Sequence, residues 1–230
     1  MNTITLAPGL TLIHGDCMKL LEQTPDKYYD LSICDPPYGI GYSRRVAKTS
    51  KSIIRYTPKK WDDATPDQGY FTELFRTSAN QLVFGGNYFS LPPSRGFVIW
   101  DKCQPEGLDQ AMCEYVWSSF DRSAKLFRTS IQQIQFTRIH PTQKPVALYR
   151  WLLQNYAKPG QTILDTHLGS GSSAIAAWEM GYSFTGIEID KDYFDAAVER
   201  ISKRLLSPYL PGIAGNEGKG QAEQVKLFCD

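Results

Sequence analysis

Short apolar runs, separated by stretches with helical spacing, constrain the fold of this chain more than any other feature. Several of the runs are apolar at consecutive positions, which is typical of strands that are buried on both faces of a parallel sheet. Their alternation with helical patterns predicts an α/β layered sheet. The predicted strands cover residues 10–13, 31–34, 81–84, 97–100, 115–117, 162–164 and 184–187.

Two helices are well marked in the second half of the chain. Over residues 192–205 the apolar side chains fall on one stripe at helical spacing, with Asp192 near the start and Lys203 and Arg204 in the last turn, as the helix dipole favours. Residues 146–156 follow Pro145 and end before a Lys-Pro-Gly turn, so they predict a second helix.

Composition narrows the class of protein further. The 230 residues carry 25 basic and 24 acidic side chains, and 42% are hydrophobic, so one sizeable domain with a packed core is expected. No apolar run approaches the ~20 residues of a membrane helix, and no secretory signal is evident. None of the five cysteines forms a C-x-x-C pair, so we expect a cytoplasmic protein with reduced thiols and no metal site.

The first chemical signal is a strand that runs into an acidic, proline-rich turn. Residues 31–39 read Leu-Ser-Ile-Cys-Asp-Pro-Pro-Tyr-Gly. Ligand sites in open α/β sheets form at the carboxyl ends of strands, and two prolines give a stiff turn whose carbonyls are free to accept hydrogen bonds. The Asp35 carboxylate, the Pro36 carbonyl and the Tyr38 ring could therefore grip a planar group that bears an NH₂. An ordinary turn, in which Asp35 caps and Tyr38 packs, is the alternative.

A second strand also ends in an acidic residue and is followed by glycines. Asp165 precedes the turn Gly169-Ser170-Gly171, where the backbone can approach a ligand closely. Glu188 ends another strand about 20 residues later, which is the spacing of the ribose-binding acid in nucleoside-binding βαβ units. The third glycine of the dinucleotide fingerprint and the Gly-Lys-Ser/Thr of a P-loop are both missing. An adenosine-type ligand therefore fits better than a dinucleotide.

Together these residues resemble the amino-methylating DNA methyltransferases that use S-adenosylmethionine. The similarity is greatest to the permuted β class, in which the Asp-Pro-Pro-Tyr motif comes before the Asp-x-x-x-Gly-Ser-Gly motif, as 35–38 comes before 165–171 here. The His-Gly-Asp of 14–16, the Trp-Asp-Lys of 100–102 and the His-Pro-Thr-Gln-Lys-Pro of 140–145 agree with that family. The resemblance spans residues 10–205 and departs at Thr166 and His167, where the family usually has Pro-Phe.

The resemblance implies a Rossmann-like methyltransferase fold in circularly permuted order, with a mostly parallel twisted sheet and helices on both faces. We therefore predict a methyltransferase domain over 1–206, with a target-recognition insertion at 103–139, and a flexible tail over 207–230. The implied reaction is site-specific methylation of the exocyclic N6 of a flipped adenine in duplex DNA. Cytosine-N4 methylation and a DNA-binding module that has lost catalysis are the alternatives. A solitary enzyme and one half of a restriction–modification system fit equally well.

The family's catalytic roles carry over to the matching turn. Asp35 and the Pro36 carbonyl would accept the two N–H bonds of the target amine, while Pro37 stiffens the turn and Tyr38 stacks on the flipped base. Extraction of that base from the duplex costs a few kcal/mol. Direct in-line transfer needs no metal and no covalent enzyme intermediate, so Cys34 is interpreted as a residue of the core.

The cofactor roles implied by the resemblance fall mainly on the glycine turn. Gly169, Ser170 and Gly171 would let the backbone pass the methionine moiety, with Asp165 near its amino group. Glu188 would accept hydrogen bonds from the ribose hydroxyls.

Two more polar residues are candidates for the cofactor site. Asp16 would bind the adenine amino group, and its alternative role is a helix cap before residue 17. Lys144 either contributes to the methionine pocket or is a solvated lysine at a helix start.

A basic run follows the acceptor turn directly. Seven cations and no acidic residue stand between residues 43 and 60, which favours contact with DNA phosphates and binding that weakens steeply with salt. A solvated loop is the alternative. The phosphate-binding candidates are Arg44, Arg45, Lys48, Lys51 and Arg55. Side chains suited to bidentate base contacts are Gln104, Gln110, Arg122, Lys125, Arg128, Gln132, Gln133, Gln135 and Arg138.

The tail has a linker composition and a short terminal motif. Four glycines and two prolines follow Ser207, and the chain then finishes with a Gln-x-x-Leu-Phe pattern from Gln224 to Phe228. This pattern resembles peptides that dock on the bacterial sliding clamp. The expected partners are therefore duplex DNA and that clamp, with no membrane partner, for a monomer or a homodimer.

Overall fold

The short apolar runs form the strands of one sheet. The computed structural model describes residues 1–42, 59–107, 111–130 and 138–207. Within these ranges the strands are β1 (Asn2–Ala7), β2 (Leu10–His14), β3 (Tyr29–Cys34), β4 (Ser78–Phe84), β5 (Phe97–Asp101), β6 (Cys113–Ser118), β7 (Lys125–Arg128), β8 (Thr162–Asp165) and β9 (Ser183–Glu188). The helices are α1 (Cys17–Leu21), α2 (Gln68–Thr77), α3 (Val146–Tyr156), α4 (Ser172–Glu179) and α5 (Lys191–Leu205), and a 3₁₀ turn covers Gly86–Tyr88.

The strand order brings the predicted motifs to one edge of the sheet. The order is β1-β2-β9-β8-β3-β4-β6-β5-β7, and the five strands from β2 to β4 run parallel to one another. In contrast, β1 is antiparallel to β2, and β6 is antiparallel to both β4 and β5. Since parallel strands end at the same edge, the loops after β2, β3, β8 and β9 lie side by side, as ligand sites in α/β sheets require. The fold is the Rossmann-like methyltransferase fold that the sequence predicted.

Both faces of the sheet are covered, because consecutive strand residues point to opposite sides. Leu12 and Ile33 pack in one core with apolar residues of α3, α4 and α5. Their chain neighbours Ile13 and Cys34 pack in a second core with residues of α1 and α2. This two-sided burial explains why the central strands read as continuous apolar runs rather than as alternating patterns.

The two helices predicted from spacing are confirmed. The helix α3 has the predicted bounds, and α5 begins one residue earlier than predicted, where Asp190 Oδ1 accepts a hydrogen bond from the backbone N–H of Asp192. Glu179 of α4, whose side chain is 4% exposed, binds both Arg150 of α3 and Arg204 of α5. The three helices on one face are thus tied together by one buried carboxylate.

The range predicted as a target-recognition insertion, 103–139, is not wholly separate from the sheet. Both β6 and β7 lie in it, and β6 is an interior strand between β4 and β5. Among the base-reading candidates, Arg122 donates to the carbonyl of Asn155 and lies over the rings of Phe120 and Tyr156, so the fold holds it in place. The tail after Ser207 falls outside the described residues, and so does its proposed clamp motif. In the part of the chain that is described, no helix is long and apolar enough to cross a membrane.

Candidate active site

A cavity of about 430 Å³ opens at the edge where the parallel strands end. Its wall is built by the loops after β2, β3, β8 and β9, together with residues of the segments 61–67 and 140–144. Among the residues proposed from sequence, it brings together Asp16, Asp35, Pro37, Lys144, Gly169, Ser170 and Glu188. The acceptor turn after β3 and the glycine turn after β8 therefore share one cavity.

The Asp35 carboxylate is engaged on both oxygens. The Tyr38 hydroxyl donates to Oδ1 at 2.7 Å, and the Lys144 ammonium donates to Oδ2. The Tyr38 ring, which the sequence assigned to the flipped base, stacks here on the half-exposed ring of Tyr88, with centroids 4.8 Å apart and planes at 9°. Burial raises the pKa of Asp35, although Lys144 opposes that rise. Pro36 is buried, and neither it nor Tyr38 lines the cavity wall.

The Lys144 ammonium joins two carboxylates from different strand ends. Besides Asp35, it contacts Glu114 Oε2 on β6 at 3.2 Å, and Lys102 at the end of β5 contacts Glu114 Oε1 at 2.8 Å. Burial opposes the charge of Lys144, but the two carboxylates outweigh it and hold its pKa above the ordinary value. Lys144 is only 3% exposed, so the interpretation as a solvated lysine is wrong.

A buried carboxylate also fixes the backbone of the acceptor turn. Asp62 is 3% exposed and accepts hydrogen bonds from three backbone N–H groups, those of Tyr38 at 2.9 Å, Gly39 at 3.0 Å and Tyr42 at 2.8 Å. These bonds anchor the turn to the segment that begins at residue 59. The position of Tyr38 is thus set from its backbone as well as from its ring.

The glycine turn is supported from beneath by Asp165. Its Oδ1 accepts from the backbone N–H of His167 at 3.0 Å, and its Oδ2 accepts from the Ser173 hydroxyl at 2.5 Å. Asp165 is 1% exposed and does not line the cavity, contrary to the expected contact with a ligand amino group. Burial, together with the negative charges of Asp35 and Glu188, raises its pKa to about 7, although the two hydrogen bonds oppose the rise.

Gly171 has a different reason for being glycine than the one proposed from sequence. Its φ is +73°, and a Cβ there would lie 2.7 Å from Cδ1 of Ile201. It is absent from the cavity wall, so it permits α4 and α5 to pack closely rather than a ligand to approach. Gly169, by contrast, lines the cavity and has a φ of +51°.

The other two predicted cofactor carboxylates lie on the cavity wall. Glu188 Oε2 accepts from the backbone N–H of Gly169 at 2.8 Å, and its Oε1 accepts from Asp190 N at 2.9 Å. Burial raises the pKa of Glu188, and these backbone bonds oppose the rise. Asp16 caps α1 by accepting from Met18 N at 2.9 Å, so it is both the helix cap and a cavity residue.

Two histidines on the wall are neutral at physiological pH. Burial lowers the pKa of His140 to about 3 and that of His167 to about 4. The His167 ring meets the ring of Tyr70 edge-on, with centroids 5.4 Å apart, so it acts as an aromatic side chain where the family has Phe. No group of three or more potential metal ligands is found among the described residues.

The phosphate-binding candidates of the basic run cannot be compared with the structure. Arg44, Arg45, Lys48, Lys51 and Arg55 all lie outside the described residues. Lys59, at the end of the run, binds Asp190 at 2.5 Å and Asp192 at 2.7 Å and lies over the ring of Tyr193. Its charge is therefore already compensated within the fold.

Sequence reasoning missed three residues of the site and its surroundings. Glu114 carried no motif that linked it to Lys144, and Asp62 stood outside every recognised pattern; Lys102 was noted in the Trp-Asp-Lys segment, but its contact with Glu114 was not foreseen. Trp61 lines the cavity, and its buried indole N–H has no hydrogen-bond partner among the described residues. A signal for Trp61 and Asp62 was present only as a Trp-Asp-Asp sequence after the basic run.

The comparisons with known proteins agree with this geometry. A family model of N6/N4 type, described as a DNA methylase, matches residues 95–199. This matched segment is similar to the amino-methylating DNA methyltransferases, the family that the sequence motifs also resemble.

Individual relatives are distant but cover most of the chain. YubD of Escherichia coli (strain K12), which is named as a methylase, is 24% identical over 207 residues, or 83% of this chain and 89% of its own length. The type II methyltransferase M.HinfI of Haemophilus influenzae is 22% identical over 253 residues, or 86% of this chain and 70% of its own.

Solved structures support the fold. The M1.HpyAVI–SAM complex matches with a TM-score of 0.56 at 18% identity and covers 82% of this chain and 98% of its own. The cytosine-N4-specific PvuII DNA methyltransferase matches with a TM-score of 0.54 at 12% identity and covers 85% of this chain and 92% of its own.

Proposed function

We propose that this chain transfers the methyl group of S-adenosylmethionine to the exocyclic N6 of an adenine that is flipped out of duplex DNA. One observation carries the proposal: the Asp35 carboxylate and the glycine turn with Glu188 line the same cavity. A hydrogen-bond acceptor for an amine thus stands next to a site with the features of a nucleoside pocket.

The donor and acceptor set of the cavity fits S-adenosylmethionine. The Glu188 carboxylate can accept from ribose hydroxyls, and Asp16 has an oxygen beyond the one that caps α1. The indole N–H of Trp61 has no acceptor in the described part of the chain, and a buried donor without an acceptor is costly. Gly169 leaves the backbone of the turn accessible.

When bound, S-adenosylmethionine supplies an electrophilic methyl group on its sulfonium. The nitrogen of an aromatic amine is a poor nucleophile because its lone pair is delocalised into the ring. Asp35 and the Pro36 carbonyl accept its two N–H bonds, which draws the nitrogen towards a tetrahedral geometry and frees the lone pair. Most of the acceleration comes from proximity and orientation in this arrangement.

Tyr38 has to yield its present contact during base entry. Its hydroxyl occupies Asp35 Oδ1 and its ring rests on Tyr88. The target amine replaces the hydroxyl on Oδ1, and the released ring becomes a stacking surface for the base. The exposed Tyr88, next to Tyr38, extends this aromatic surface.

Adenine is favoured over cytosine by the first residue of the acceptor motif, which is Asp35 here and more often Ser in cytosine-N4 enzymes of the family. The structural relatives include both kinds, since PvuII methyltransferase is cytosine-N4-specific. The amine chemistry at the acceptor turn is the same for the two bases.

The decisive experiment identifies the methylated nucleoside. The full chain is incubated with methyl-labelled S-adenosylmethionine and mixed-sequence duplex DNA, which is then digested to nucleosides for mass spectrometry. Labelled N6-methyladenosine supports the proposal. Labelled N4-methylcytosine would transfer the activity to the alternative base, and cofactor binding with no label in DNA would indicate a module without catalysis.

A further inference from the structure

Four charged groups alternate in sign from the end of β5 to the acceptor turn. They run from Lys102 to Glu114, Lys144 and Asp35, with contacts of 2.8 Å and 3.2 Å for the first two pairs and a direct contact for the last. Lys144 is 3% exposed, and the side chain of Glu114 is 21% exposed. The last member of this series is the proposed catalytic carboxylate, yet Glu114 lies on β6, away from both motifs.

The way in which Lys144 divides its protons decides what Asp35 can still accept. An ammonium has three N–H donors, and a carboxylate has two oxygens. If Lys144 were paired with Asp35 alone, its donors could reach both oxygens and compete with an incoming amine. In the structure, Lys144 donates a hydrogen bond to Oδ2 of Asp35, while the ion pair with Glu114 Oε2 at 3.2 Å holds the ammonium on the other side without a hydrogen bond.

We propose that Glu114 is a positioning residue for methyl transfer: by sharing the Lys144 ammonium, it confines that ammonium to one oxygen of Asp35 and leaves the other, which the Tyr38 hydroxyl gives up when the base enters, to the target amine. The inference rests on the proposed function. Glu114 acts through Lys144 and does not touch the substrate. Lys102 contacts Glu114 from the opposite side. Its positive charge partly neutralises the Glu114 carboxylate and so weakens the attraction between Glu114 and Lys144.

The same arrangement tunes the acceptor electrostatically. A carboxylate whose charge is fully neutralised by a cation is a weaker hydrogen-bond acceptor, and Glu114 offsets part of the Lys144 charge. Among the residues that the structure describes, the charged and titratable groups around Asp35 are Lys144, Tyr38, Glu114, Lys102, Asp165 and Tyr149. Among them, Glu114 can be neutralised without removing a direct contact of Asp35.

The test is the isosteric variant Glu114→Gln in the full chain. We expect kcat for methyl transfer to fall roughly ten- to a hundredfold, because small misplacements of a reacting group have large effects on rate. The dissociation constant for S-adenosylmethionine stays unchanged. The acid limb of the kcat–pH profile moves to lower pH, since the negative neighbour that disfavours ionisation of Asp35 is lost.

A matched control separates positioning from general destabilisation. Glu179 is also a buried carboxylate shared by two cations, but it lies among α3, α4 and α5, away from the cavity wall. Glu179→Gln is expected to lower thermal stability and to leave kcat and the acid limb unchanged. An equal shift of the acid limb in both variants would overturn the proposal, and so would a loss of kcat in Glu114→Gln with no shift.

A second variant keeps the proposal testable if Glu114→Gln does not fold. Lys102→Gln leaves more of the Glu114 charge uncompensated, so the acid limb moves in the opposite direction, to higher pH. An unmoved limb would contradict the inference. If the wild-type chain transfers no methyl group, the proposed function fails first; if it is active and both variants match it, only the role of Glu114 fails.

Discussion

The acceptor turn after β3 and the glycine turn after β8 begin alike and are used differently. In both, a buried apolar strand ends in an aspartate at the same edge of the sheet. Asp35 lines the cavity and is held by a cation and a phenol, whereas Asp165 lies beneath its turn and is held by a backbone N–H and a serine hydroxyl. The aspartate at the strand end thus faces the substrate cavity in the acceptor turn, whereas in the glycine turn it stabilises the backbone of the turn itself.

The partners of each carboxylate explain the difference. Burial raises the pKa of both; the Lys144 ammonium favours the charged form of Asp35, whereas no cation among the described residues does so for Asp165. Asp165 reaches a pKa of about 7 because its neutral donors compensate burial only in part. Asp35, the proposed acceptor for the amine, is thus paired with a cation, whereas Asp165, which supports a turn, is held by neutral donors.

The largest effect should come from Asp35→Asn. The amide keeps the shape but replaces one acceptor oxygen with a donor, so the amine loses its anionic acceptor. We expect kcat to fall about a thousandfold, in the range of losses seen when one stabilising hydrogen bond is removed from an active site. Affinity for S-adenosylmethionine, measured by calorimetry, should stay nearly intact. A comparable loss of both quantities would contradict the separation of the two loops.

Seven of the nine described strands, the two marked helices and the positions of both turns could be predicted from sequence, because each depends on local patterns; β1 and β7 were not predicted. Apolar runs give the strands, and chain order plus parallel pairing brings their ends together. The cavity residues Asp35, Gly169 and Glu188 follow directly from this reasoning.

The remaining features depend on contacts between distant segments. Glu114 meets Lys144 thirty residues later, and Gly171 is required by Ile201, also thirty residues away. Nothing in the neighbouring sequence distinguishes Glu114 from a solvent-facing strand residue, or Asp62 from a loop carboxylate. Such roles become visible only when the sheet order fixes which strand ends are neighbours.

The second prediction concerns the pH dependence of stability through Asp165. Between pH about 4 and 7 the folded chain keeps a proton that the unfolded chain has released, so this group's contribution to stability is lost as the pH rises through that window. For one proton the slope is at most about 1.4 kcal/mol per pH unit. Asp165→Asn removes the titrating carboxyl, so the free energy of unfolding of this variant should rise with pH relative to that of the wild type.

Urea unfolding of the two proteins at several pH values measures this difference. His140 and His167 act in the opposite direction, because their pKa values are lowered in the fold, but their contribution is the same in both proteins and cancels. A difference in unfolding free energy that does not vary between pH 4 and 7 would show that Asp165 is ionised in the fold throughout.

The smallest expected effect is on the stability of Gly171→Ala, which tests whether this glycine serves helix packing or the approach of a ligand. Alanine there is strained by its φ of +73°, but the same strain applies to Gly181→Ala, where φ is +76° and no atom of the described residues lies within 4 Å of the added Cβ. The contact with Ile201 should make Gly171→Ala less stable than Gly181→Ala by about 1 kcal/mol, since overpacking a core is costly. Both variants should bind S-adenosylmethionine as the wild type does. If Gly171→Ala instead loses affinity for S-adenosylmethionine at unchanged stability, the glycine turn contacts the cofactor at this position as well. The turn after β8 would then bind ligand along its length, like the acceptor turn after β3.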